Sequence, residues 1–313
     1  MNIFIVNHSV KNCGVYQYGK RFGNIMSKSK KYNFIYLEIN SNQEFNSLLE
    51  EHNPKVIIYN YLSGTMPWLN ENIVSNNRKK GIKQFLIIHN TYYSFFDYYL
   101  HQNPYHDLID SKNFRLCRPL FDYNPSESLE NKNSESIKIG TFGFGFSVKK
   151  FDELCSIVNE QFYNKKVDLR IHITESHFGK SNISFIENSC MNRITSPNIK
   201  VHFTNNFISD QEILDFLYQN NLNIFLYEDY KFYNGISSTI DYALSVKKPM
   251  AICKSNMFSH ILDVTPSICV ENNSLEEIMK NGFEPLIEKY NSWVPDKFIQ
   301  NLEQIITSVL RIT

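Results

Sequence analysis

Short apolar runs alternate with amphipathic segments along most of this 313-residue chain, and this alternation constrains the fold more than any other feature. Runs of this length are typical of buried strands, and the segments between them have helical spacing. Strands that alternate with helices form parallel sheets covered on both faces, so the sequence predicts an α/β fold. Strands are predicted at residues 2–8, 33–39, 54–61, 83–90, 113–120, 137–145, 167–174, 198–205, 222–228 and 248–254. Helices are predicted at 14–26, 41–52, 67–81, 148–164 and 209–220, after Asn234-Gly235, and twice near the C-terminus.

A polar stretch at residues 122–136 interrupts the alternation, which then starts again. Such a stretch is typical of a linker, and the chain length suits two domains. We therefore predict two doubly wound halves, an N-terminal domain at 1–132 and a C-terminal domain at 133–290. The last segment, 291–313, is predicted to be a helix that can pack back on the N-terminal domain.

Composition excludes some classes of function. The formal net charge is zero, which argues against a nucleic-acid partner bound through a large basic surface. No run of eighteen apolar residues occurs, and the first residues read as a strand rather than a signal peptide. The six cysteines are scattered, without a C-x-x-C pair, which favours a reducing, cytoplasmic location and no zinc site.

Two basic clusters in the first half leave two interpretations open. They consist of Lys28, Lys30 and Lys31, and of Arg78, Lys79 and Lys80, near predicted helix ends. Lysines there complement the helix dipole, which is the favoured interpretation. The alternative is a surface for peripheral contact with an anionic membrane or for a phosphate-bearing acceptor.

Ligands of open parallel sheets bind at the carboxyl ends of strands, and two such ends in the first half carry candidate residues. Gly14, in the loop 7–20, lets the backbone come close to a ligand, although no G-x-G-x-x-G fingerprint is present. His89 follows a predicted buried strand and can donate to a sugar hydroxyl or act as acid or base. An ordinary loop and a hydrogen-bonded structural histidine are the alternatives.

The second half has two candidate phosphate sites. Gly143 and Gly145 are predicted to open a loop whose amides wrap phosphate, with Lys149 or Lys150 at the following helix. At residues 234–239, Asn234 and Gly235 make a turn before Ser237 and Ser238, which offer hydroxyls and free amides. A tight turn and simple helix capping are the alternatives. Together the two sites indicate a bound diphosphate.

Residues 137–162 and 198–252, with the glycine loop and Lys149, resemble the GT-B fold glycosyltransferases of the group 1 (retaining, glycogen-synthase-like) superfamily. Gly14 and His89 carry a weaker resemblance in the first half. The resemblance implies two Rossmann-like domains facing across a cleft. It implies transfer of a sugar from a nucleotide-diphosphate sugar to a glycan, glycolipid or related acceptor, as in polysaccharide biosynthesis, without a metal or other cofactor.

The resemblance also assigns roles to residues. Lys149 falls on the family lysine that holds phosphate, and Lys150 falls on the family glycine. The Ser237 and Ser238 amides would cap the β-phosphate, and His89 would contact the donor sugar.

One family feature is missing. The family carries two glutamates separated by seven residues, and here Asn234 and Tyr242 take those positions. Asp241 is one residue away and could replace the ribose-binding acid, and Glu228 lies upstream at the strand end. The alternatives are therefore a non-catalytic binding or scaffold subunit and a sugar-nucleotide epimerase. The sequence does not fix the base, the sugar, the stereochemistry or the oligomeric state.

Overall fold

A computed structural model describes residues 1–89, 92–107, 109–126, 135–177, 182–229 and 235–311. The described residues form two compact units. Unit 1 draws on the described residues within 1–119, 235–236 and 292–311, and unit 2 on those within 120–229 and 237–291. Each unit contains one parallel sheet, so the predicted α/β class is confirmed.

The elements follow one another in the order that the apolar pattern predicts. The strands are β1 Asn2–Asn7, β2 Asn33–Glu38, β3 Val56–Tyr59, β4 Lys83–Ile88, β5 Tyr98–His101, β6 Asn113–Arg115, β7 Ile137–Phe144, β8 Val167–Thr174, β9 Ile199–Thr204, β10 Leu222–Phe225 and β11 Met250–Ile252. The α-helices are α1 Gly14–Met26, α2 Asn42–His52, α3 Glu71–Lys79, α4 Phe151–Gln161, α5 Ile183–Met191, α6 Asp210–Tyr218, α7 Thr239–Ser245, α8 Leu275–Asn281, α9 Ile287–Trp293 and α10 Pro295–Arg311.

The sheet of unit 1 has six strands in the order β2-β1-β3-β4-β5-β6, and that of unit 2 has five in the order β11-β10-β7-β8-β9. Neighbouring strands are parallel throughout both sheets. Parallel neighbours require crossover connections, and helices supply most of them. None of the described helices is long and apolar enough to span a lipid bilayer.

Strand alternation divides the core of unit 1 between the two faces of its sheet. Ile3 and Ile5 of β1 join a cluster with α1 and α10, in which Phe22 and Phe298 meet edge to face at 5.2 Å. Phe4 lies in the cluster on the opposite face, with residues of α2 and α3. Successive side chains of a strand point to opposite faces, so a continuous apolar run covers both. Full burial of such a side chain contributes about 1.5–3 kcal/mol.

Two predicted elements are shorter in the structure than the sequence pattern indicates. The strand predicted at 113–120 stops at Arg115, because the Cys117 amide donates to Oδ1 of Asn301 (3.0 Å) and Pro119 has no amide proton to donate. The helix predicted at 148–164 is split. Residues Ser147–Lys149 form a 3₁₀ turn and α4 begins at Phe151, because Lys150 adopts a left-handed backbone with φ of 47°.

The sequence pattern missed β5 and α5. The strand β5 is only four residues long and rich in tyrosine. The helix α5 exposes Phe185 and Met191, so its apolar residues do not follow a single buried stripe.

Candidate functional site

Each sheet contains one position where the strand order reverses, and such switch points are where open parallel sheets bind ligands. In unit 1 the successive strands β2 and β3 lie on opposite sides of β1, and in unit 2 β8 and β10 lie on opposite sides of β7. The geometry therefore points to the carboxyl ends of β1 and β3, and separately to those of β7 and β10. Polar side chains gather at both places.

Gly143 makes room for a lysine in unit 2. It lies inside β7, paired with Ile173, so the loop predicted to open at Gly143 begins at Gly145 instead. A Cβ atom at Gly143 would lie 2.8 Å from Cδ, Cε and Nζ of Lys149, closer than non-bonded atoms approach a Cβ in folded proteins. The Gly145 amide is engaged, because it donates to the Thr174 carbonyl (3.0 Å). The bare surface of Gly143 is thus the path along which the Lys149 side chain runs.

Lys149 is a buried cation. Only 8% of the residue is exposed, and Nζ lies 4.6 Å from the ring centroid of Tyr227, which follows β10. Within the described ranges, no carboxylate forms an ion pair with this ammonium. A buried charge is costly unless an opposite charge accompanies it, and an aromatic face does not neutralise a lysine. The chemistry of the place therefore suits an anion at the β7–β10 switch point.

Lys150 differs from its neighbour. Its Nζ forms an ion pair with Oε2 of Glu153 at 2.8 Å, and this hydrogen bond is the main cause that raises its pKa. Glu228 is exposed, and its amide donates to the Val148 carbonyl at 2.9 Å, which ties the end of β10 to the 3₁₀ turn. The Lys150 charge is thus partly compensated by Glu153, whereas no described carboxylate pairs with Lys149.

The polar groups of Ser237, just before α7, already have hydrogen-bond partners, whereas the sequence predicts that they are free to bind phosphate. The Ser237 amide, predicted to cap a phosphate, donates to the Met257 carbonyl at 2.9 Å, and the Ser237 hydroxyl lies 2.8 Å from that of Thr239. Ser238 is the N-cap residue but makes no side-chain capping bond, and α7 is only seven residues long.

The remaining candidates near α7 divide by exposure. Gly235 is half-buried, whereas Asp241, the predicted substitute for a ribose-binding acid, has no exposed surface. Tyr242, on a family glutamate position, is also buried and donates to Oδ1 of Asp210 at 2.5 Å. Asn234 lies outside the described residues. The roles predicted for these residues stay predictions.

In unit 1, two asparagines join the carboxyl ends of β1 and β3. The Asn60 amide nitrogen donates to the Val15 carbonyl (2.7 Å) and to Oδ1 of Asn7 (2.8 Å). Asn7 in turn donates to the Tyr16 carbonyl (3.0 Å) at the start of α1, close to the exposed Gly14 where that helix begins. Because backbone carbonyls can only accept, these contacts fix which side of each amide carries the protons.

His89 is held between two amides of fixed orientation. Its Nε2 lies 2.6 Å from Oδ1 of Asn60, an acceptor, so Nε2 carries the proton and donates. Its Nδ1 lies 2.5 Å from the amide nitrogen of Gln102, which also donates to the Ile88 carbonyl at 3.0 Å, so Nδ1 accepts. The network therefore assigns His89 the neutral form with its proton on Nε2, inferred from hydrogen-bond partners.

The electrostatics of unit 1 favour the same neutral form. Burial lowers the pKa of His89 to about 3, and the nearby Arg118 and His8 add to the decrease. Arg118 donates to the Gln102 carbonyl (3.1 Å) and lies over the Tyr18 ring, which also meets His89 edge to face at 5.3 Å. Both ring nitrogens of His89 are thus engaged within unit 1, and its predicted role toward the donor sugar or as acid or base stays a prediction.

Sequence reasoning missed Asn60, Gln102 and Tyr227. Asn60 and Tyr227 each follow a buried strand closely, so the rule that flagged His89 could have found them. Gln102 follows β5, which the sequence pattern did not reveal. Within the described residues, no group of three or more His, Cys, Asp or Glu side chains could hold a metal ion.

Comparison with known proteins gives matches among solved structures. No family model and no curated protein sequence matches this chain. HepE of Anabaena, in complex with UDP-glucose, is 12% identical with a TM-score of 0.63, covering 98% of this chain and 100% of HepE. Sucrose-phosphate synthase of Thermosynechococcus elongatus is 8% identical with a TM-score of 0.70, covering 100% of both chains.

A third match is the lipopolysaccharide outer core galactosyltransferase WaaB in its apo form. It is 10% identical with a TM-score of 0.59, covering 98% of this chain and 99% of that one. At sequence identities this low, the structural matches establish a shared fold and nothing more. These neighbours are GT-B glycosyltransferases. With its two parallel sheets and their crossover helices, this chain therefore has the GT-B fold.

Proposed function

We propose that this chain is a glycosyltransferase that transfers a sugar from a nucleotide-diphosphate sugar to a glycan, glycolipid or related acceptor. The observation that carries the proposal is the buried Lys149 ammonium, which has no carboxylate partner within the described ranges and lies at the β7–β10 switch point. A diphosphate supplies the opposite charge that such a cation requires. The fold is shared with HepE, whose structure contains UDP-glucose.

Lys149 then has a chemical role. Departure of a nucleoside diphosphate leaves negative charge on its phosphate oxygens, and a preorganised cation in a water-poor place stabilises that charge. The ammonium is a point charge with three donors, which suits phosphate. The resemblance to retaining enzymes adds that the transfer proceeds without a metal and with retention, and that the first domain binds the acceptor. The six free cysteines support a reducing, cytoplasmic location.

A non-catalytic GT-B binding subunit is the second candidate, and two observations favour it. Both ring nitrogens of His89 are engaged within unit 1. Tyr242, on a family glutamate position, is buried and bonded to Asp210. Such a subunit binds a nucleotide diphosphate without turning over its sugar ester.

Measuring nucleotide release from UDP-, GDP- and ADP-sugars, with and without a panel of saccharide and lipid-extract acceptors, tests the proposal. Acceptor-dependent release that Lys149→Ala abolishes and Lys150→Ala preserves supports the glycosyltransferase. Conversion of the free nucleotide sugar without acceptor identifies an epimerase instead. Nucleotide binding without either reaction supports the binding subunit, and no binding of any nucleotide contradicts the site at Lys149.

A further inference from the structure

A row of lysines lies at the amino-terminal ends of the strands in unit 1, a side of the sheet that we call its amino edge. Lys55 directly precedes β3, Lys83 begins β4, and Lys31 lies two residues before β2. These positions are adjacent in space, because the Lys83 amide donates to the Lys55 carbonyl (3.1 Å) and the Lys55 amide donates to the Asn2 carbonyl (3.1 Å). The four strands from β2 to β4 span roughly 15 Å, so the row is about as long as two screening lengths in physiological salt.

Chain reversals at the same edge extend the row. The chain enters β2 through exposed Lys28 and Lys30, and enters β4 through exposed Lys79 and Lys80. Acidic residues also lie near these lysines. They are Glu50 and Glu51 in the last turn of α2, Asp97, which pairs with Arg78, and Glu303, which accepts from the Ser29 hydroxyl at 2.6 Å. Helix dipoles account for lysines after α1 and α3, but Lys55 and Lys83 directly precede or begin strands. We refer to the seven lysines together as the lysine row: Lys28, Lys30, Lys31, Lys55, Lys79, Lys80 and Lys83.

At the corresponding edge of unit 2, two adjacent lysines are paired with carboxylates, which gives an internal comparison. There Lys165 pairs with Glu276, and Lys166 pairs with Glu135 at 3.0 Å. In the lysine row, by contrast, Lys30, Lys55, Lys79 and Lys80 form no ion pair with any described residue. The Lys31 ammonium bonds to a neutral group, the Thr307 hydroxyl, at 2.7 Å. Several lysines of the row therefore carry positive charge that no described carboxylate pairs with, in a chain whose formal net charge is zero.

We propose that the lysine row binds the surface of an anionic phospholipid membrane. Clusters of four to eight lysines near such a surface are attracted by its potential, and each strengthens binding by roughly fivefold. A row at the edge of a rigid sheet can bring its charges to a plane together. Nucleic-acid binding is less favoured, because it usually relies on a broad basic surface in a basic domain. The proposal rests on topology and charge and is independent of the proposed transfer reaction.

Orientation follows from the fold of unit 1. The asparagine network of Asn7 and Asn60 lies at the carboxyl edge of the sheet, a strand length of roughly 20 Å from the lysine row. A membrane bound at the amino edge therefore does not cover the polar groups at the β1–β3 switch point.

Co-sedimentation of the full chain with vesicles tests the proposal. Vesicles of phosphatidylcholine alone are compared with an equal mixture of phosphatidylcholine and phosphatidylglycerol, at about 0.05 M and about 0.5 M salt. The test variant is K30Q/K79Q/K80Q, and the matched control is K165Q/K166Q/K200Q, which removes three exposed lysines from the amino edge of unit 2. Thermal unfolding of both variants checks that they remain folded. A fluorescent DNA duplex serves as the competing polyanion.

The expected result is binding to the mixed vesicles only, reversed by high salt. The test variant is expected to bind roughly 100-fold more weakly while the control binds like the native chain. Absence of sedimentation, equal binding to both vesicle types, or equal loss in the two variants overturns the proposal. Tighter binding to the duplex than to the mixed vesicles overturns it in favour of a nucleic-acid partner.

Discussion

Replacing Gly143 by alanine is expected to weaken nucleotide binding without unfolding the chain. The new Cβ would lie 2.8 Å from three terminal atoms of Lys149, whereas ordinary contacts are about 3.5–4.0 Å, so the side chain must move by about 1 Å. The displaced atoms are the flexible end of a lysine, which can move at little cost in stability. The ammonium of Lys149, however, leaves the place where we propose that it meets phosphate.

The magnitude follows from the contact that is lost. A charge-assisted hydrogen bond requires about 2.7–2.9 Å, so a shift of about 1 Å breaks it. Such a bond contributes about 1.5–3 kcal/mol, which corresponds to roughly a 10- to 100-fold increase in the dissociation constant. Isothermal titration calorimetry with the nucleoside diphosphate that binds the native chain measures this change, and thermal unfolding checks stability.

A double-mutant cycle makes the test specific. If Gly143 acts only by making room for Lys149, adding Gly143→Ala to the Lys149→Ala variant has no further effect on binding, since the truncated side chain leaves space for the methyl group. Unchanged affinity in the single Gly143→Ala variant refutes the reasoning. So does a full additional loss in the double variant, which would mean that Gly143 acts on the ligand directly.

Three further predictions concern the two units separately. Gln102→Glu replaces the amide donor to His89 Nδ1 by an acceptor. The pKa of His89, lowered to about 3 in the native chain, is therefore expected to rise. An unchanged pKa of His89 in an NMR titration would contradict the hydrogen-bond network around its ring. Because that pKa lies below the ordinary 6.5, the unfolded state binds more protons between the two values. The free energy of unfolding is expected to fall as pH decreases below about 6.5, by up to about 1.4 kcal/mol per pH unit. The decrease is expected to be smaller in the His89→Gln variant, which lacks the titrating ring. Lys150 has a left-handed backbone (φ of 47°) that glycine adopts without strain, so Lys150→Gly is expected to stabilise unit 2 by up to about 1 kcal/mol. Loss of the exposed ion pair with Glu153 reduces this gain by a few tenths of a kcal/mol. Greater sensitivity of the variant to urea would contradict the prediction.

The sequence predicted much of the fold because local patterns carry it. The strand at 167–174 and the helix at 14–26 have the predicted bounds, since a bounded apolar run and an amphipathic period each determine one element. The resemblance to GT-B glycosyltransferases, carried by residues that include the glycine loop and Lys149, implies the GT-B fold, and that fold is confirmed. The helix α5 was missed because Phe185 lies on its exposed side.

The candidate site was less predictable because it depends on contacts between distant segments. The fixed form of His89 requires Asn60 and Gln102, which strand order brings together from three separate stretches of chain. The engaged amide of Ser237 depends on Met257, which the local sequence around α7 does not reveal. The buried state of Lys149 depends on its path over Gly143, which a loop pattern alone does not specify.

Calorimetric titration of the native chain, Lys149→Ala and Lys150→Ala with UDP, GDP and ADP tests the central claim most directly. The two lysines are adjacent in sequence, but Lys150 is paired with Glu153, whereas Lys149 is buried and forms no ion pair with a described residue. We expect saturable binding of one nucleotide, roughly 10- to 100-fold weaker in Lys149→Ala and nearly unchanged in Lys150→Ala. Equal affinity of the Lys149→Ala variant and the native chain would contradict the account.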